Sequence, residues 1–194
     1  MPIPGPDPVV KLGTAEKFSL DNGLTVIMVE NHKLPRVAAT LRIDNQPYFE
    51  GKIAGVSSMM GSLLGRGTST ITKDEFNETV DFLGANIGFF SSGASARSLE
   101  KYFPKVLGLM ADGVKNSQFT QEEFDKEKEV TLENLRADEK NIPSIASRVE
   151  NVLVYGKNHP YGEFTSKASV NNITLANVKN NFNTYYKPNN GYLI

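Results

Sequence analysis

The stretch "GVSSMMGSLLGRGT", residues 55 to 68, combines an apolar helical stripe with a face made only of small side chains. Residues at helical spacing form the apolar stripe and are expected to face the core: Val56, Met59, Met60, Leu63 and Leu64. The opposite face carries Ser57, Ser58, Gly61, Ser62 and Gly65. The pattern predicts a helix over about residues 52 to 65 that ends in a glycine-containing turn before Thr68.

The composition is that of an ordinary globular chain with few groups for chemistry. The 194 residues include 22 acidic residues against 21 lysines and arginines, so the composition does not indicate a basic surface for nucleic acid or an anionic membrane. There are no cysteines, and the only histidines are His32 and His159. Since most metal and acid–base sites need imidazole, these sites have few possible ligands here. No run of 18 apolar residues is present to form a membrane span.

The first residues differ in composition from the rest. Four prolines occur in the first eight residues, and this predicts an extended arm over residues 1 to 14. The arm lacks the charged-then-apolar pattern of a signal peptide, and a targeting segment removed before it stays an open alternative. Residues 15 to 194 are expected to form a single α+β domain. "GYLI" at 191 to 194 is typical of the first half of a core strand, so we expect a fragment of a longer two-half protein.

Strand signals lie near both ends of this domain. Asn22-Gly23 between two β-prone runs predicts a hairpin, and "RVAATLRID" at 36 to 44 alternates as a strand with one buried face. Residues 85 to 100, interrupted by Gly93, indicate two strands around a turn.

Helical signals fill the middle of the chain. Two capping boxes are expected, Thr72 with Glu75 and Thr120 with Glu123. Further helices are predicted over residues 101 to 116, from 121 to about 140, over 143 to 155 and in "TLANVKNNFNTYY". This order predicts an α+β fold with a largely antiparallel or mixed sheet and helices packed mainly on one face.

Three familiar chemistries fit these residues poorly. Ser57 and Ser58 lack the second glycine and the preceding strand of a nucleophile elbow. "GSLLGRGTST" follows a helix and has Arg66 where a phosphate-binding loop needs lysine. Neither histidine has a second imidazole close in sequence. The one carboxylate at i+3 or i+4 is Glu163, which follows His159 across a Pro-Tyr-Gly turn instead of lying on a helical face, so no conventional metal-ligand pair is indicated.

The order of the motifs does resemble a known family. "L-x-N-G-L-x-V" precedes a strand and a helix ending in "G-T"; then come a capped helix, "GA", small-residue strands, a long acidic helix, "HPYG" and "YYKPNN". This order is similar to the N-terminal domain of the pitrilysin/insulinase zinc metallopeptidases, which include mitochondrial processing peptidase. The resemblance spans about residues 15 to 194 and implies the metallopeptidase LuxS/MPP-like fold.

Active members of that family carry His-x-x-Glu-His on the helix that ends in Gly-Thr. Two histidines of this motif bind zinc and its glutamate activates water. Counted back from Gly67-Thr68, these positions correspond to Ser58, Gly61 and Ser62. A distal glutamate ligand corresponds to Asn134, or to Glu133 if the count shifts by one. The resemblance therefore implies a degenerate member with no catalytic residue and no metal or cofactor of its own, zinc being expected only in an active partner.

The resemblance also implies a role. Degenerate members pair with an active zinc-peptidase subunit, or with their own C-terminal half, to enclose a chamber for unfolded peptide. The peptide adds to a sheet edge that corresponds here to residues 86 to 92, with Ile87, Gly88, Phe89, Phe90 and Ser91 as the expected contacts. Similarity to paired bacterial envelope members implies a periplasmic or envelope location. A structural or interaction protein with no peptidase role, and an inactive half of a chain whose other half is catalytic, remain alternatives.

Overall fold

A computed structural model of the chain describes residues 14 to 194, so nearly all of the expected arm at residues 1 to 14 lies outside the described residues. The described residues form one six-stranded sheet in the order β1-β2-β6-β3-β5-β4. The strands are β1 (Glu16–Ser19), β2 (Thr25–Met28), β3 (Arg36–Ile43), β4 (Asn86–Phe90), β5 (Gly93–Leu99) and β6 (Gly191–Leu193).

The first hairpin forms where the sequence predicts it. β1 and β2 pair antiparallel, with Glu16 opposite Met28 and Ser19 opposite Thr25. Gly23 has a φ of 85° in the connecting turn, a left-handed conformation that glycine adopts without steric strain. The Asn-Gly signal is therefore confirmed.

β6 lies in the middle of the sheet although it comes last in the sequence. It pairs parallel with β2 and antiparallel with β3, which makes the sheet mixed. Along β3, Ala39, Leu41 and Ile43 are buried while Thr40 and Arg42 between them are exposed. One face of this strand thus meets the core, and the α+β fold class is confirmed.

Seven α-helices are found among the described residues: α1 (Val56–Leu63), α2 (Lys73–Phe82), α3 (Phe103–Lys115), α4 (Gln121–Asp138), α5 (Ile142–Tyr155), α6 (Lys167–Asn172) and α7 (Leu175–Tyr185). The helix expected from residue 52 begins at Val56 instead, after a short 3-10 turn and Gly55, whose φ of 100° interrupts helical geometry. α6 was not predicted, because its six residues are too few to show a period.

The two expected capping boxes differ in outcome. At α2 both reciprocal bonds form between Thr72 and Glu75. At α4 the Thr120 side chain accepts a hydrogen bond from the backbone of Glu123, but the Glu123 carboxylate is bound by Arg66 and Lys73 instead of returning to the cap. The prediction of a second capping box is therefore wrong for the hydrogen bond from the Glu123 side chain to the cap, because this carboxylate forms ion pairs with distant residues.

The core consists of two neighbouring clusters. One joins α1 to α4, α6 and α7 through residues such as Met60, Phe124 and Val178. The other fills the space between the sheet and α3, with Val106 fully buried. Phe89 of β4 packs against both clusters, so the edge strand is tied to the same core that holds α1.

Candidate functional site

The apolar stripe of α1 is fully committed to the core. Its five members are each at most 3% exposed: Val56, Met59, Met60, Leu63 and Leu64. Burying side chains of this size stabilises a fold by roughly 1.5–3 kcal/mol each. The orientation of α1 is therefore fixed, and Gly61 is held against the β4–β5 turn.

Gly61 lies directly against the backbone of that turn. A Cβ added at Gly61 would lie 2.8 Å from the carbonyl carbon of Phe90 and from Cα of Ser91, and closer still to the amide nitrogen of Ser91. These are backbone atoms, so a side chain at this position requires the turn to move. Gly61 is thus a close-packing residue, and the β4–β5 turn fills the space where a longer side chain would project.

The other small residues of α1 reach solvent. Ser58 and Ser62 are exposed on the same helix, and both Asn134 and Glu133 are exposed on α4. Two serine hydroxyls, a glycine and an amide or single carboxylate do not fit the imidazole and carboxylate donor set that a catalytic zinc needs. No group of three or more His, Cys, Asp or Glu side chains is placed to hold a metal within residues 14 to 194.

Phe89 anchors the edge strand between two glycines. A Cβ at Gly65 would overlap its ring, and one at Gly113 of α3 would lie 2.8 Å from its Cε1. Phe90, the next residue, is 37% exposed. In the described part of the chain β4 pairs only with β5, so its other edge carries backbone groups without a strand partner.

The turn after α1 is held by Arg66. Its Nε donates to the carbonyl of Ser62, while its other nitrogens bind the carboxylates of Glu123 and Glu127 on α4. Glu127 is 8% exposed. Arg66 is therefore a structural link between α1 and α4, which removes it from any phosphate-binding role.

Thr68 joins the same turn to α3. Its hydroxyl and that of Thr70 each donate to Oδ2 of Asp112 at 2.6 Å, and Asn116 donates to Oδ1. Partial burial raises the pKa of Asp112, but the hydrogen bonds from Asn116, Thr68 and Thr70 outweigh it and the pKa lies below its usual value. The threonine of the Gly-Thr turn thus has a structural role, since its hydrogen bond to Asp112 fixes the turn to α3.

A cavity of about 370 Å³, which the sequence did not reveal, opens beside the N-terminal end of α1. Ser57 and Ser58 line it, together with Ser91 and Ser92 of the β4–β5 turn. Its walls come from segments far apart in sequence, including residues 43 to 50, residues 160 to 165 and α7. No local pattern announces such a site, because it exists only where these segments meet.

Aromatic and amide groups are among the groups that line the cavity. Tyr48 stacks on Tyr185 with ring centroids 3.7 Å apart, and its hydroxyl accepts a hydrogen bond from Nδ2 of Asn181 at 2.9 Å. Burial raises the pKa of Tyr48, and the charge of Glu50 adds to this. The Tyr48 hydroxyl therefore stays protonated at neutral pH.

Neither histidine takes part in this region. His32 contacts Glu30 in an exposed turn. His159, beyond the end of α5, stacks on Tyr155 and packs against Tyr161 with the two rings tilted. Neither lines the cavity beside Ser57 and Ser58. The geometry thus gives those serines no histidine partner of the kind that activates a nucleophilic hydroxyl in a catalytic triad.

The structure described above is a mixed sheet whose edge strand lies beside a helix that is followed by a Gly-Thr turn. Comparison with known families gives a match to this chain. Residues 25 to 158 match the model of the insulinase family, peptidase family M16. The match covers more than half of the chain, so the chain belongs to the insulinase (M16) family. The resemblance seen in the sequence is confirmed.

Individual relatives extend this result. An uncharacterised zinc protease of Bacillus subtilis is 26% identical over 152 residues, which are 76% of this chain and 37% of that protein. A peptidase M16 inactive domain from Pseudomonas fluorescens superimposes with a TM-score of 0.84 at 24% identity, over 93% of this chain and 45% of that one. A periplasmic protease of Escherichia coli gives a TM-score of 0.74 at 20% identity, over 93% of this chain and 21% of that one. The chain thus spans less than half the length of these proteins.

None of the helices within residues 14 to 194 is long and apolar enough to cross a bilayer.

Proposed function

We propose that this chain is a non-catalytic domain of the insulinase family that forms part of a peptide-binding chamber with a zinc-bearing half. That half is either a separate subunit or the remainder of the same polypeptide. The observation that carries the proposal is the position of Gly61, where the resemblance places the general base. A glutamate there would collide with the backbone of Phe90 and Ser91.

The proposed loss of zinc chemistry rests on the residue types at the motif positions as well as on the lack of room for a side chain at Gly61. Ser58 and Ser62 take the two histidine positions, and Asn134 or Glu133 takes that of the distal glutamate. Neutral hydroxyls are not among the usual ligands of zinc in proteins. With Gly61 at the remaining position, the set has neither the imidazoles to hold the metal nor a carboxylate to activate water.

The free edge of β4 supports a peptide-binding role. An edge strand offers unpaired N–H and C=O groups that hydrogen-bond to any extended peptide. Along this edge we assign the contacts to Ile87, Gly88, Phe89, Phe90 and Ser91. Phe89 holds the strand in place while the exposed Phe90 ring supplies apolar surface to a ligand.

The surface of α5 supports assembly with another half. Among its 14 residues none is buried, and four large apolar side chains recur at helical spacing on it: Ile142, Ile145, Val149 and Leu153, exposed by 77%, 40%, 52% and 80%. A contiguous exposed apolar surface of this kind marks a protein interface. We assign this α5 face to the contact with the zinc-bearing half.

A periplasmic or envelope location is part of the proposal. Its support is the fold shared with the periplasmic protease described above. Fractionation of the native source tests this location. We expect the chain in the periplasmic or envelope fraction, and its recovery in the cytoplasm would overturn the proposed location.

Metal analysis combined with a cleavage assay tests the non-catalytic role. The purified chain is expected to hold no stoichiometric zinc and to cleave no unstructured peptide alone, whereas cleavage appears when the zinc-bearing half is present. The variant S58A/S62A serves as the control and is expected to leave this behaviour unchanged. Stoichiometric zinc that is lost in S58A/S62A, or cleavage by the chain alone, overturns the proposal.

A further inference from the structure

We propose that the cavity beside α1 is a binding site for a guanidinium or ammonium group. The chemistry of the cavity alone supports a cationic ligand. The further step, that the cation is a basic side chain of a bound peptide, rests on the proposed function. The cavity, of about 370 Å³, lies within the size range of sites that hold small ligands.

The charge of the lining favours a cation. Among residues 14 to 194, Glu50 and Glu163 are the only charged residues that line the cavity, and both are partly buried. Within residues 14 to 194 neither forms an ion pair with a lysine, arginine or histidine. Two carboxylates in one cavity repel each other, and a cationic ligand would be attracted to both of them.

Backbone groups hold these carboxylates in place without neutralising them. Glu163 accepts hydrogen bonds from the amides of Glu50 and Gly51, and Glu50 accepts from those of Gly55 and Ser57. Each carboxylate oxygen has two lone pairs and can accept a further bond from a ligand. Because Glu50 already occupies the amides at the start of α1, this helix end is closed to an anion.

Asn181 gives an independent indication of a missing hydrogen-bond donor. The residue is 5% exposed and lines the cavity, and its buried Oδ1 has no hydrogen-bond partner among the described residues. An unpaired acceptor that is shielded from water destabilises a fold, so buried acceptors normally have a donor. A guanidinium or ammonium group carries several N–H donors and no acceptor, which matches both Asn181 and the two carboxylates.

The aromatic walls suit the same ligand. The lining includes the stacked pair Tyr48 and Tyr185 and, from another segment, Tyr161 and Phe164, which are exposed by 53% and 44%. Aromatic faces attract cations through their quadrupole and accept the methylene stem of a long basic side chain. A ligand with an apolar stem and a cationic head therefore meets both kinds of wall.

The position of the cavity connects it to the edge strand. Ser91 and Ser92, which line it, directly follow the last residue of β4, Phe90. An extended peptide paired with β4 would run past the opening, so that one of its side chains can enter. The site would then add a preference for lysine or arginine to the otherwise sequence-independent pairing of backbones.

Calorimetric titration of the purified chain tests the proposal. The probes are free arginine, a short unstructured peptide of alanine, serine and glycine with one central arginine, and the same peptide with neutral citrulline in its place. We expect the arginine peptide to bind at least roughly tenfold more tightly than the citrulline peptide, since a charge-assisted contact is lost. We expect binding of the arginine peptide to weaken by a similar factor in E163Q and N181L, while E129Q, an exposed change on α4, leaves it unaltered. Thermal unfolding of each variant shows whether the fold is retained.

The outcomes separate this proposal from the proposed function. Equal binding of both peptides, or arginine binding unaffected in a folded E163Q and a folded N181L, overturns the cationic site while leaving peptide binding at β4 intact. Binding of free arginine that depends on Glu163, without binding of either peptide, supports the site but contradicts the peptide-binding role. Absence of binding by every probe overturns the site and also counts against peptide binding.

Discussion

Gly61 of α1 packs against the backbone of Ser91 so closely that no side chain fits between the helix and the β4–β5 turn. In the proposed correspondence Gly61 takes the position of a catalytic glutamate, and a side chain of that length would project into this contact. The proposed loss of the base and the position of the edge strand would then depend on the same close approach.

Adding a methyl group at Gly61 should destabilise the fold. We expect G61A to lower the free energy of unfolding by about 1–3 kcal/mol, because backbone atoms of the turn must shift. The matched control is G108A on α3, where an added Cβ meets no atom within 4 Å. That change should raise the free energy of unfolding by about 0.5–1 kcal/mol through the better helix propensity of alanine. Urea unfolding of both variants measures the difference, and equal stabilities would contradict the close contact.

Restoring the family motif should separate metal binding from stability. S58H/S62H changes two exposed positions one helical turn apart, so we expect wild-type stability and a gain of weak zinc binding by the paired imidazoles. Adding G61E should destabilise the protein and produce no peptidase activity, since the glutamate displaces the β4–β5 turn. Zinc titration, thermal unfolding and a peptide cleavage assay follow the two variants. Cleavage by the stable triple variant would show that the turn adapts.

The link between α1 and α4 should depend on Arg66. We expect R66A to lower the free energy of unfolding by about 1–3 kcal/mol, because the nearly buried Glu127 is left without its charged partner. R66K should recover only part of this, since lysine cannot bind two carboxylates and the Ser62 carbonyl with one planar group. The control K126A removes an exposed lysine that pairs with Glu122 at 2.7 Å and only distantly, at 3.8 Å, with Glu123, so it should leave stability almost unchanged. Similar stabilities for R66A and K126A would refute the structural role.

Acid should weaken the contact between the Gly-Thr turn and α3. The pKa of Asp112 is lower in the folded chain than in the unfolded chain, so its carboxylate stabilises the fold above the unfolded pKa, near 3.9. That contribution is lost as the pH falls through the lower folded pKa. We expect D112N to be less stable than the wild type at neutral pH and to lose less stability between about pH 5 and pH 2. Denaturant unfolding across this range tests it, and parallel pH profiles for the two proteins would exclude Asp112 as the source.

The α5 face should matter for assembly and not for folding. Because Leu153 is 80% exposed, L153E should leave the thermal midpoint unchanged and weaken co-purification with the co-expressed zinc-bearing half. F82S removes an equally exposed apolar side chain from α2 and should affect neither property. Unchanged co-purification of L153E would remove the α5 face from the interface.

Local signals predicted most elements of the fold, and the misses have identifiable physical causes. The Asn22-Gly23 turn, the alternation along β3 and the Thr72 cap depend on residues close in sequence, so their patterns were readable. The start of α1 was misplaced because Gly55 adopts a left-handed conformation that composition does not reveal. The predicted hydrogen bond from the Glu123 side chain to the helix cap was wrong because the carboxylate binds Arg66, which is distant in sequence.

The sequence by itself determined the apolar stripe of α1, the Gly-Thr exit and the identity of the residues on the small face, since helical periodicity and residue type are local properties. Only the tertiary structure decided what that face meets: Gly61 lies against Ser91, while Ser57 and Ser58 border a cavity with Glu50, Glu163 and Asn181. The reason is distance along the chain. A close backbone contact and an unpaired buried acceptor arise where remote segments pack together, and no local pattern encodes either of them.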